Sequence, residues 1–304
     1  MSRNAVAGAG RRPARRRINW SPYLFLAPFM ISFIVFTILP ILMAVILSFT
    51  SFNGVGVPTF AFLDNYERML VDDEVLVKAI ANTLLFAFIT GPVGYILSIL
   101  LAWLVNELGW RTRTVLTLIF YAPSIALSAL SIWLYIFSAD SYGLVNSLLI
   151  QLGVIVEPVA WLINPQTNVW VVIFIQLWLS MGSGFLAFVA GFQTIDRSMY
   201  EAGALDGIHN RFQELWYLTL PSIRPQLMFG AVMQIGATFA ISDVPMQLTG
   251  FPSTNNSTTT WVTHILDVGT VRMEMGYACA LATVLFIVMI ITRNIVALVI
   301  KGEE

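Results

Sequence analysis

Charge is what this chain has little of. Asp, Glu, Lys and Arg make up 11% of its 304 residues and hydrophobic residues 58%, where a soluble domain carries roughly 25% charged residues. An ordinary soluble domain is therefore excluded. Cysteine is nearly absent too: Cys279 stands alone in an apolar run, which rules out a disulfide framework. The two histidines, His209 and His264, lie far apart and make no metal-ligand cluster. No Gly-rich loop ends in Gly-Lys-Ser or Gly-Lys-Thr, since Lys78 follows Val77 and Lys301 closes the last apolar run. Neither a Gly-x-Ser-x-Gly elbow nor a supported Cys-His pairing is present. No catalytic residue, metal or cofactor is expected, and ATP, if used, must be handled by another chain. A net charge of -1 gives nucleic-acid binding no support.

What is there is long apolar runs. A hydrocarbon core of about 30 Å needs about 20 apolar residues in a helix, and such windows fall at 22–50, 79–106, 114–138, 167–192, 226–249 and 277–300. An all-α membrane protein with six transmembrane helices is expected. Its parts would be a basic tail over residues 1–21, the six-helix domain over 22–300 and a short tail over 301–304. The start RRPARRRINW runs straight into apolar residues from Tyr23 to Phe49, too long for a cleaved signal core and so expected to stay as an anchor. Pro28 and Pro40 should bend that span or mark its ends. Placing the N-terminus in the cytoplasm leaves thirteen lysines and arginines inside and only Arg68, Lys78 and Arg272 outside, the bias that sets orientation. Both termini are then cytoplasmic, and the N-terminal arginine cluster reads first as a topology anchor, with attraction to anionic lipid headgroups as the alternative.

Between the fourth and fifth runs lies a polar segment, EAGALDGIHNRFQELWYLTLP, residues 201–221. Ser198 with Glu201 three residues on is a capping-box pattern, predicting a helix from about Met199 through EAGALD. Gly207 is placed to end it in a left-handed conformation. Asn210 with Gln213 predicts a second start, and Pro221 is expected to stop that helix. Two short helices with a sharp turn between them follow.

These residues resemble the signature loop of the permease subunits of binding-protein-dependent ABC importers: Glu-Ala-Ala, three residues, Gly, about nine residues, then an apolar residue, x, Leu-Pro. Glu201, Ala202, Gly207, Leu218, Leu220 and Pro221 match, and Gly203 departs from the usual second alanine. The Asp206-Gly207 pair and the TLPSIRP ending are closer to the carbohydrate branch, of maltose and glycerol-phosphate type. FLDNYERML, SADSYGLVNSLL and MGYACALATVL also resemble sugar-permease segments at the corresponding places. The resemblance implies a type I importer permease bundle whose loop, within about 193–225, docks its first helix into an ATPase groove. Met199, Glu201, Ala202, Leu205, Asp206, Gly207 and Pro221 would carry the coupling. It also implies the partners: a second homologous permease subunit, ATP-binding subunits, an extracytoplasmic solute-binding protein and a carbohydrate substrate.

For the route itself, Gln234, Thr238 and Ser242 recur every four residues in span five, which predicts one helix face. Gln176, Ser180 and Ser183 in span four and Ser124, Ser128 and Ser131 in span three are spaced similarly. Sugars need hydroxyl and amide partners, yet small polar residues also glue membrane helices together. Asp243 is either an intramembrane gate or a carboxylate reaching interfacial water. Trp20, Trp103, Trp110 and Trp161 fit interfacial belts, while Trp133 and Tyr135 lie within span three. Two other classes remain open on composition: an ion-coupled secondary transporter of a small polar solute and a membrane scaffold. The former would be expected to show intramembrane coupling charges.

Overall fold

A computed structural model describes residues 21–301, so all of the basic tail but Ser21 lies outside the described residues, as do residues 302–304. The chain divides into two compact units, Met1–Met43 and Ala44–Glu304. In the first, α1 (Ser21–Phe33) passes through a π turn at Ile34–Ile38 into α2 (Leu39–Leu47), whose last residues belong to the second unit. Leu39 donates its N–H to the carbonyl of Ile34, five residues back. The next residue, Pro40, has no N–H and its ring would press on the preceding turn. A widened turn just ahead relieves that clash. No described side chain from residue 24 to 43 is buried, and apart from Ser32 and Thr37 the segment is apolar, the character of a membrane-spanning helix.

The second unit opens with a two-residue ribbon, β1 (Thr50–Ser51) antiparallel to β2 (Thr59–Phe60), and α3 (Asp64–Val71). Asn65 pins α3 to the ribbon by donating to the carbonyls of Ser48 and Thr50 at 2.8 and 3.0 Å. Span two, α4 (Glu74–Asn106), begins five residues earlier than the apolar window, because the Asp73 carboxylate accepts from the Leu76 N–H at 2.9 Å and caps it. Its 33 residues are roughly 50 Å long, more than a bilayer core.

Span three is not the continuous helix expected over 114–138. It splits into α5 (Trp110–Ile125) and α6 (Leu130–Ile136), bent by 85°. Pro123 sits in the last turn of α5, and Ala126 leaves helical geometry at φ -99, ψ 77. The connection to span four contains α7 (Leu144–Gln151). Within it Asn146, fully buried, accepts from the Val159 N–H and from Trp161 Nε1 at 3.1 and 2.7 Å and donates to the carbonyls of Ser138 and Val159 at 3.0 Å. The Trp161 indole N–H is thereby part of this hub.

Span four is α8 (Pro165–Leu179) and α9 (Ser183–Gln193), interrupted at Ser180–Gly182. The segment that follows holds α10 (Arg197–Leu205), α11 (Arg211–Gln213), a π turn at Glu214–Thr219 and α12 (Leu220–Ser222). Span five is α13 (Arg224–Phe239) followed by α14 (Asp243–Thr249). After α15 (Trp261–Leu266), α16 (Met275–Lys301) is span six. Among the described residues five helices are long and apolar enough to cross a membrane, and six spans result if the bent α5–α6 pair is counted as one.

The second unit is centred on α4, α9 and α13, where Ala102, Phe185, Phe188 and Ile223 are buried in one apolar cluster. At one end of the bundle Asp73 ties α4 to α15 and α16. His264 Nε2 and Tyr277 Oη lie 2.7 and 2.6 Å from Asp73 Oδ2, and His264 is 1% exposed. Burial alone would raise the Asp73 pKa, but the hydrogen bonds from Tyr277, His264 and the Leu76 N–H outweigh it and hold the carboxyl below its ordinary range. Arg68 stands 4.3 Å over the Tyr277 ring and pairs with Glu274 at 2.6 Å.

Candidate functional site

The helix pair after span four starts earlier than its capping pattern indicated. Asp196, not Ser198, is the N-cap of α10: its carboxylate accepts from the Ser198 N–H at 3.1 Å. Both residue types cap well, and the extended backbone falls at Asp196 (φ -71, ψ 134). The other end closes as a Schellman motif. The Ile208 N–H reaches the Gly203 carbonyl at 3.0 Å and the Gly207 N–H the Ala204 carbonyl at 3.4 Å. Gly207 sits at φ +93, where an L side chain is strained. A Cβ there would meet nothing within 4 Å, so the requirement for glycine is conformational and not steric.

The returning strand of chain begins at Asn210, whose side chain accepts from the Phe212 N–H at 3.1 Å, while Gln213 Oε1 accepts from the His209 N–H at 3.3 Å. Pro221 does not stop this helix. A π turn at Glu214–Thr219 precedes it, with the Leu220 N–H bonded to the Leu215 carbonyl, and the helix breaks only at Ile223 (φ -103, ψ 21). This repeats the arrangement before Pro40: the backbone widens and the proline ring is accommodated. The two helices are clamped together by Tyr200 Oη and Thr219 Oγ1 at 3.0 Å, while the Ser222 hydroxyl, which gives its hydrogen to the Leu218 carbonyl at 2.7 Å, lies 3.5 Å from Met199 Sδ. Gly203 is buried between them, where a Cβ would come within 2.6 Å of Leu218 Cδ1. The glycine standing in place of the family's alanine thus lets Leu218 close on α10.

Among the coupling residues read from the sequence, Glu201, Ala202, Leu205, Asp206 and Gly207 are exposed, Leu205 to 90%. Met199 is half-buried and turned toward Ser222 instead of sharing the outer face. Arg211 links the pair to the end of α4, with Nη1 on Glu214 at 2.9 Å and Nη2 near Glu107 at 3.6 Å.

The polar stripes converge in part. Ser124, Gln176, Ser180, Ser183, Gln234 and Thr238 line one cavity of about 220 Å³ among spans two to five. Gln234 Nε2 donates to the Thr90 carbonyl at 3.1 Å, and Gln176 Oε1 is buried without a partner. None of the residues lining it is charged. Ser242 and Asp243 do not join them. The helix ends at Phe239, and Ser242 (φ -145, ψ -49) starts a new one, so the expected common face with Gln234 and Thr238 stops at Thr238. Asp243 is exposed in the first turn of α14. The span-three bend likewise leaves Ser128 and Ser131 exposed and away from the cavity. Trp133 stacks with Phe137 and edges onto Phe174 and Trp178, an aromatic cluster outside the cavity, and Tyr135 is 65% exposed.

A helical, multi-pass bundle with interrupted spans and a clamped helix pair between spans four and five defines a membrane-transport permease. In fold it matches a chain of the crystal structure of a bacterial alginate ABC transporter in complex with an alginate pentasaccharide-bound periplasmic protein, with a TM-score of 0.75 over 91% of this chain and 92% of that one, at 23% identity. Residues 94–302 match the binding-protein-dependent transport system inner membrane component, and the chain belongs to that family. Curated relatives agree. The chain is 30% identical to the probable ABC transporter permease protein YesP of Bacillus subtilis over 95% of its length and 93% of YesP. It is 30% identical to the arabinooligosaccharides transport system permease protein AraP of the same organism, over 98% and 95%. It is 29% identical to the lactose transport system permease protein LacF of Rhizobium radiobacter, over 94% of each.

Proposed function

We propose that the chain is the permease subunit of an ATP-driven sugar importer, forming the route by alternating access and receiving the ATPase's motion through residues 199–221. The observation that carries this reading is the helix pair: α10, closed by Gly207 and clamped to the returning helix, offers Glu201, Ala202 and Leu205 on its outer side. An exposed, nearly bare leucine on a rigid short helix is suited to a partner's apolar groove. A rigid clamp carries displacement into span five, which begins directly after it. The thirteen-to-three bias of basic residues supports placing this pair and both termini in the cytoplasm.

The cavity of Gln176, Ser180, Gln234 and Thr238 supports a route for a hydroxyl-rich, uncharged solute. Gln176 Oε1 is an acceptor awaiting a donor, and the absence of charge around it disfavours an anionic cargo. The arabinooligosaccharides and lactose transport systems to which AraP and LacF belong point the same way. A second permease subunit, ATP-binding subunits and an external binding protein complete the proposed assembly. The chain carries no phosphate loop, so in liposomes it should neither hydrolyse ATP nor take up sugar alone, and uptake should require the partners and ATP. Uptake by the chain alone, driven by a proton or sodium gradient, would overturn the reading.

A further inference from the structure

Two glycines stand close together in the middle of span two, in the sequence Gly-Pro-Val-Gly at residues 91–94. Glycine and proline both weaken a helix interior, yet α4 runs unbroken through them. Gly91 has ordinary surroundings: a Cβ there would lie 3.7 Å from Thr238 Cγ2, normal van der Waals contact. Gly94 does not. It is buried between Gln234 of α13 and Ser180 at the break in span four, and a Cβ on it would fall 2.8 Å from Gln234 Nε2, 2.9 Å from Ser180 Oγ and 3.0 Å from Ser180 Cβ.

In an α-helix the carbonyl of residue i points toward residue i+4, whose Cβ leans back over the same turn. The Thr90 carbonyl therefore lies under position 94. With glycine there it is bare, and Gln234 reaches across from α13 to donate from Nε2 to it at 3.1 Å. A carbonyl can only accept, so this bond fixes which way round the amide lies, with its NH2 on α4 and Oε1 left over. Among the described residues no donor is bonded to Oε1, and the atom is not sealed from solvent. Gln234 and Ser180 both line the polar cavity. We propose that Gly94 is a positioning residue for that cavity: by baring the Thr90 carbonyl it holds the Gln234 amide with Oε1 as the free end, an acceptor that selects a cargo hydroxyl. This rests on the reading of the cavity as the route. The two atoms nearest an added methyl, Gln234 Nε2 and Ser180 Oγ, end side chains that can swing aside, so alanine at position 94 should keep the fold and displace the amide.

The amide is read in the full chain in lipid nanodiscs, by nuclear magnetic resonance with isotope-labelled glutamine, the Gln234 signal being identified by its loss in Gln234→Ala. Gly94→Ala should shift that signal and Gly91→Ala should not. Uptake is then compared in proteoliposomes of the assembled transporter with ATP, using lactose, maltose or arabinotriose, whichever the wild type carries. Gly94→Ala should raise the apparent KM about fivefold with kcat kept, the loss of roughly one hydrogen bond. Gln234→Ala should do the same, and the double variant no more than either alone, because both remove one acceptor. A methyl that only disturbed packing would lower kcat or the amount of protein and add to the effect of Gln234→Ala. An unshifted amide signal in Gly94→Ala, or an additive double variant, would overturn the proposal. A wild-type assembly that carries none of the three sugars would count against the importer reading instead, and the amide signal would still decide whether Gly94 places Gln234. Should Gly94→Ala fail to fold, its restoration by adding Gln234→Ala supports the proposal, and no restoration overturns it.

Discussion

Asp73 holds three helices with one carboxylate: it caps α4 and accepts from His264 and Tyr277. Its folded pKa lies below the ordinary value. A depressed carboxylate contributes stability that is complete above the unfolded pKa, about 3.9, and is lost as pH falls through the folded value. Melting of the purified protein should therefore show an acid limb below about pH 4 that Asp73→Asn flattens. At neutral pH, Asp73→Ala should destabilise by about 2–3 kcal/mol, because it removes the cap and strands two buried donors. An unchanged melting temperature would contradict this. None of it was legible in the sequence, since His264 stands 191 residues from its partner. Gly207, by contrast, could be read, because a helix-ending glycine acts on its own backbone. The N-cap lies two residues before the capping-box serine because local dihedrals decide between Asp196 and Ser198, and composition does not.

At the scale of elements, the apolar windows located five spans and the bent α5–α6 pair, but not the interruptions. Spans four and five break beside polar residues, at Ser180–Gly182 and Ala240–Ser242, where hydropathy stays high and periodicity continues. A four-residue spacing drawn across a break joins residues that do not share a face, as with Gln234 and Ser242. The prolines misled differently. Pro40 and Pro221 neither end nor sharply bend their helices, because a π turn ahead of each absorbs the missing N–H. If the cavity is the route, Gln234→Ala should reduce apparent substrate affinity by about fivefold, the worth of roughly one hydrogen bond. Ser242→Ala and Val232→Ala, outside the cavity, should have little effect on initial uptake rates. The reverse pattern would make the polar residues packing groups only.

For the whole molecule, the proposed orientation and the proposed coupling stand or fall together. A reporter inserted between Ile208 and Glu214 should give a cytoplasmic signal, and an external one would remove the loop from any ATPase. The long-range resemblance was legible because it runs through nearly the whole chain, and the match over residues 94–302 spans everything from mid-α4 onward. What closes the helix pair and joins it to the bundle was not legible, since the Tyr200–Thr219 clamp within the pair and the Arg211–Glu107 link to α4 depend on how the chain returns.

The central claim is that the turn at Gly207 fixes the helix pair against an ATPase, and ATP-dependent sugar uptake by the assembled transporter carrying Gly207→Val measures it most directly. Valine at φ +93 should cost about 1–2 kcal/mol locally through its Cβ. It meets no neighbouring atom and lies outside the apolar spans. The account predicts normal amounts of membrane-embedded permease with uptake abolished, and partial rescue by Gly207→Asn, which tolerates the left-handed region. Wild-type uptake by Gly207→Val at matched expression would contradict it.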